Sequence, residues 1–178
     1  MNTSDRYHPL TVSLHWLIFL LFVVALAAIE IRGDIPKGDP LRDTLRSVHM
    51  LAGQLILLLA ALRVASRLRF RAPADLPAPR WQTAAAHLVH LVLYVQMFAL
   101  PICGILMMQN AGREVSFFGL TLPTLITPHA EWKETLHEAH ELMGNAVYFV
   151  AGAHILAAMW HQLVMKDHIL LRMMPRRK

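Results

Sequence analysis

The apolar positions of this chain gather into four long runs, at about Leu10–Ile31, Val48–Leu68, Ala84–Met108 and Leu142–Met165. Each run is close to the roughly 20 residues an α-helix needs to cross a hydrocarbon core, where the backbone must satisfy its own hydrogen bonds. The pattern predicts an all-α, integral membrane four-helix bundle, with residues 1–178 forming a single transmembrane domain. The second run is the least uniform, because Arg63 and Arg67 enter its end; both are expected to snorkel towards headgroups. Pro101 is expected to bend the third helix. The stretch RAPADLPAPRW reads as a short extended connector between the second and third spans.

Composition agrees with lipid as the solvent. The chain is 56% hydrophobic and only 16% charged, with a mean hydropathy of +0.42. A net charge of +5 and a pI near 9.9 raise the question of nucleic acid. The cations argue against it, because they cluster at the ends of apolar runs, where anionic lipid and the insertion machinery read them. Eleven of the 17 Lys and Arg residues lie in the N-terminus, the second loop and the C-terminal tail. That bias predicts cytoplasmic termini, and nine of the 12 acids fall on the opposite face. Ala25-Leu26-Ala27 also resembles a signal-peptidase site, which would make the first run a cleaved signal. The weak n-region, with Arg6 offset by Asp5, and the length of the run favour a retained span. The single cysteine, Cys103, sits inside an apolar run, so no disulfide framework is expected.

What the apolar runs do not explain is their histidines. Titratable rings in hydrocarbon are costly unless something holds them, yet HEAHELMGNAVYFVAGAHILAAMWHQ carries His137, His140, His154 and His161. His140 and His154 are 14 residues apart, about 21 Å along a helix and within about 40° in azimuth. They therefore share one face at two depths. His49 opens the second span at the outer level and His15 lies in the first span at the inner level. Depth alone pairs His49 with His140 and His15 with His154.

Two imidazoles from facing helices are what the axial positions of a haem iron require, and the filled coordination shell suits electron transfer rather than oxygen activation. Gly53 and Gly144, one turn after His49 and His140, would leave room for a macrocycle. The alternatives are hydrogen-bonded structural histidines or a proton path. Zinc is disfavoured, since cysteine and carboxylate ligands are missing at these depths. His137 is off the His154 face by about 100°; His8 and His129 read as solvated loop residues and His168 as part of the tail.

On SLHWLIFLL, AIEIRG, VHMLAGQ, AHLVHLVLYVQMFALPICGILMM, FGLTLP and LLRMMPRRK, the sequence resembles the bacterial cytochrome b561 family, in its dihaem superoxide-oxidising type. The resemblance runs over nearly the whole chain and is loosest at 34–45 and 121–138. It implies two haem b groups ligated by His15, His49, His140 and His154, in the bacterial inner membrane. It also implies oxidation of superoxide outside and reduction of ubiquinone inside, without an obligatory protein partner. The other activity open to this scaffold is a quinol-linked cytochrome serving a periplasmic redox partner.

His90 and His161, with His87 beside them, are candidates for a quinone pocket near the inner pair, since quinone reduction consumes protons that histidine relays. The plainer reading is an interfacial belt of His and Trp. Lys37, Arg42, Arg46, Arg113 and Lys133 are the outer cations that could steer an anion, although the outer face is net negative.

Overall fold

The structure, a computed structural model, describes residues 6–175. Asp5, Arg176, Arg177 and Lys178, which entered the charge pattern above, lie outside the described residues. Four long helices carry the chain: α1 (Pro9–Asp34), α2 (Pro40–Arg69), α3 (Arg80–Asn110) and α4 (Trp132–Trp160). All four are long and apolar enough to cross a membrane. Large side chains such as Leu20, Val23, Leu58, Leu91, Phe149 and Leu156 stand exposed on them, as they do when the outside of a bundle faces lipid.

The helices begin before the apolar runs, and the first three also end beyond them. At α2 the start moves out to Pro40: Asp39 accepts a hydrogen bond from the Leu41 N–H at 2.8 Å, and Pro40 supplies a first-turn φ without wasting a donor. α4 likewise begins at Trp132, ten residues before the apolar run, because a helix satisfies its backbone in water as well as in lipid. α3 continues through Pro101. The Pro-rich connector after α2 holds no helix or strand from Arg71 to Pro79, and its last two residues, Arg80 and Trp81, open α3.

His8 is more than a loop residue. Its Nδ1 accepts from the Leu10 N–H at the start of α1, and its ring stacks on Phe70 at 3.5 Å. Between α3 and α4, Ser116–Phe117 and Leu120–Thr121 form a small antiparallel hairpin, β1 and β2. Its two-residue turn places Phe118 (φ 48°) and Gly119 (φ 83°) in the left-handed region, as a tight hairpin requires. The side chains of Gln109 and Asn110, at the end of α3, each clamp this loop by two hydrogen bonds, to Pro123 and Leu125 and to His129.

The α1–α2 contact is the most extensive, followed by α3–α4 and then by α2–α3. Ile18, Ala25, Ala52, Ile56, Ala60 and Met97 form the buried core, with Leu21, Phe22, Leu59, Tyr94 and Phe98 against it. α4 contributes to none of these; it packs on α3, and Val147 is its one buried residue among those described. The fourth helix thus rests on α3, standing off α1 and α2 and adding no residue to this cluster.

Arg63 departs from expectation. It does not snorkel but turns inward, 8% exposed, donating to the Thr11 carbonyl at 2.9 Å and to the Tyr94 hydroxyl at 3.2 Å. The bundle offers it two acceptors on two neighbouring helices, which headgroups cannot match at that depth. Arg67 remains outside, over the Tyr7 ring. After α4 the chain makes a π-helical turn (His161–Met165) and a 3-10 turn (Ile169–Met173), and folds back under the bundle. Trp16 Nε1 donates to the Met173 carbonyl at 2.6 Å, the Tyr7 N–H to Arg172, and the Arg172 guanidinium to Ala74.

Candidate functional site

The four histidines chosen by depth meet in the expected couples. His49 on α2 and His140 on α4 have ring centroids 6.0 Å apart, with planes crossed at 77°. His15 on α1 and His154 on α4 stand 6.1 Å apart at 81°. A metal about 2.0–2.1 Å from each of two imidazole nitrogens puts the centroids roughly 6.2 Å apart, taking about 1.1 Å from nitrogen to centroid. Both couples fit a shared metal at that separation.

Among the described residues no three His, Cys, Asp or Glu side chains converge as a metal site. Ligands offered in twos suit a metal whose remaining positions a flat macrocycle fills. A Cβ added at Gly53 or Gly144 meets nothing within 4 Å.

The His49 ring is oriented by a hydrogen bond. His49 Nδ1 lies 2.9 Å from the Ala25 carbonyl, which can only accept, so this nitrogen carries the proton and Nε2 keeps its lone pair. Gly104, on α3, was not legible as part of the site: a Cβ there would meet His140 Cε1 at 3.2 Å. A side chain at this position would push the His140 ring back by a few tenths of an ångström. No local sequence signal marks it, because the contact joins residues 36 apart.

At the inner end, His90 comes within 5.2 Å of His154, centroid to centroid. His161 binds Asp167 through Nδ1. His87 faces Asp75 at 3.6 Å on the surface, and His137 faces Glu141 at 3.7 Å. Of the outer cations, two are committed locally. Arg42 donates to the Arg32 and Ile35 carbonyls that end α1, and Arg46 pairs with Asp43. Lys37, Arg113 and Lys133 remain exposed.

Known proteins resemble this sequence over nearly its whole length. The family model for prokaryotic cytochrome b561 matches residues 6–176. Cytochrome b561 homolog 1 of Escherichia coli (strain K12) is 38% identical over 175 residues, covering 98% of this chain and 99% of its own. Probable superoxide oxidase CybB of Yersinia pestis is 36% identical over 174 residues, 97% of this chain and 98% of its own. Four spans, paired intramembrane histidines and this end-to-end similarity lead to one statement: the chain belongs to the prokaryotic cytochrome b561 family, multi-pass membrane electron-transfer proteins that carry b-type haem.

Proposed function

We propose that this chain is a dihaem cytochrome of the bacterial inner membrane, with both termini cytoplasmic. In this reading it oxidises superoxide to oxygen at the outer face and reduces ubiquinone at the inner face. The observation that carries the reading is the meeting of four imidazoles in two couples, 6.0 and 6.1 Å between centroids, on opposite halves of the bundle. His49 and His140 would hold the outer haem and His15 and His154 the inner one, and the bound groups supply one-electron chemistry. Superoxide as donor is supported by the name of the Yersinia pestis relative at 36% identity.

The chain's own residues then have definable tasks. Ala25 fixes the tautomer of His49, and Gly104 sets the position of His140. Arg63 places a buried cation, with no carboxylate partner among the described residues, within electrostatic reach of His15, His90 and His154. A positive charge there favours an anionic cofactor and an added electron. Two superoxide anions, one ubiquinone and two protons give two oxygen molecules and one ubiquinol. The inner face must therefore deliver protons, a task suited to His90 and His161.

Rapid mixing of the purified protein with pulsed superoxide, with and without ubiquinone, tests this reading. Haem reduction by superoxide followed by ubiquinol formation is expected. Haem absorbance indifferent to superoxide while ubiquinol is oxidised would replace it with the quinol-linked cytochrome that serves a periplasmic partner.

A further inference from the structure

The end of α4 holds a group of features that the haem couples do not use. Directly after Trp160 the helix widens into a π-turn over His161–Met165, a rare form that recurs at functional sites. Lys166 and His168 then both adopt left-handed backbone, φ 56° and 62°. Two such non-glycine residues in three are strained and persist only when the surroundings hold them. Asp167 is the residue between them. The reversal aims its carboxylate back at α4, where Oδ2 accepts from His161 Nδ1 and Oδ1 accepts from the Ile169 N–H at 3.1 Å.

The contact is half-buried, with the His161 and Asp167 side chains 24% and 25% exposed. Burial pushes the Asp167 carboxyl upward, but the hydrogen bonds from His161 and Ile169 outweigh it and hold the group below its ordinary value. Asp167 is therefore a carboxylate at neutral pH, an acceptor only, and the ring nitrogen facing it carries a proton. His161 itself lies seven residues beyond His154, about 10 Å further along the helix towards the inner face. The turn that holds Asp167 is anchored beside His15 by the Trp16 bond to Met173.

We propose that Asp167 is the positioning residue for His161 in proton delivery to the quinone, an inference that rests on the quinone-reducing reading above. The carboxylate engages Nδ1–H and leaves Nε2 as the nitrogen that exchanges protons. When the quinone takes up two electrons originating from two superoxide anions, doubly protonated His161 gives its Nε2 proton to one quinone oxygen, and the other oxygen takes its proton from cytoplasmic water. The ring is left as the Nδ1–H form on Asp167 and regains its proton from cytoplasmic water.

The test compares wild-type protein, Asp167→Ala, Asp167→Glu and His161→Ala, all with intact haem spectra, in ubiquinone reduction and in histidine 15N NMR. Asp167→Ala is expected to lower kcat for ubiquinone by roughly tenfold or more with little change in KM. It should also release the fixed Nδ1–H tautomer of His161, while Asp167→Glu restores both. Wild-type kcat together with an unchanged His161 tautomer in Asp167→Ala would overturn this proposal while leaving the quinone reading standing. Wild-type protein that does not reduce ubiquinone would remove both.

Discussion

His49 and His140 each supply one of the two nitrogens of the outer couple, so losing either ring should cost the whole couple its cofactor. His49→Ala and His140→Ala are expected to remove the same haem signal, and the double variant no more than either single one. His15→Ala and His154→Ala should remove the other. Absorbance of the reduced proteins checks this; loss of one common haem from His49→Ala and His15→Ala would contradict the pairing. Gly104→Ala is subtler. Its methyl must displace the His140 ring, which it meets at 3.2 Å, so the electron paramagnetic resonance signal of one haem should shift while the other stays. The four ring positions were legible in the sequence because helical rise and azimuth convert residue number into depth and face. Gly104 and Asp167 were not. One acts across a helix–helix contact, and the other is aimed by two left-handed residues after a π-turn, a backbone path that no apolar periodicity encodes.

α2 is tied to its neighbours by polar contacts as well as by its small-residue core. Thr11 and Ser66 hydroxyls meet at 2.5 Å between α1 and α2, and Arg63 reaches both α1 and α3. Hydrogen bonds to a charged group contribute about 1.5–3 kcal/mol each. Arg63→Ala should therefore lower the unfolding free energy in detergent by on the order of 3 kcal/mol. A midpoint equal to the wild type would mean that the guanidinium is not so engaged. The existence and order of the four helices could be read from the apolar runs. Their ends could not, since Pro40–Ser47 and Trp132–Glu141 are helical without being apolar. The inward turn of Arg63 was equally hidden, because hydropathy records that a charge lies in a span and not which acceptors neighbouring helices offer.

Taken whole, the bundle buries its core between α1, α2 and α3, while α4 rests on α3 and supplies one partner to each histidine couple. The face proposed as outer carries nine acids against six Lys and Arg, a net −3, and Arg42 and Arg46 are occupied by α1 carbonyls and by Asp43. A small anion approaching it meets net repulsion, which salt screens over a Debye length of about 10 Å at 0.1 M. The rate of superoxide oxidation should therefore rise modestly with ionic strength; a steep fall would show that Lys37, Arg113 and Lys133 form a steering patch after all. The general architecture was legible from length and hydropathy, whereas the fold-back of the C-terminal segment under α1 was not, since it rests on the nonlocal bonds of Trp16 and Arg172. Haem content per chain, measured together with low-temperature electron paramagnetic resonance on the purified protein, bears most directly on the histidine couples. Two low-spin haems per chain, each with two imidazole ligands, is the expected result; a single haem, or a high-spin iron with an open position, would contradict it.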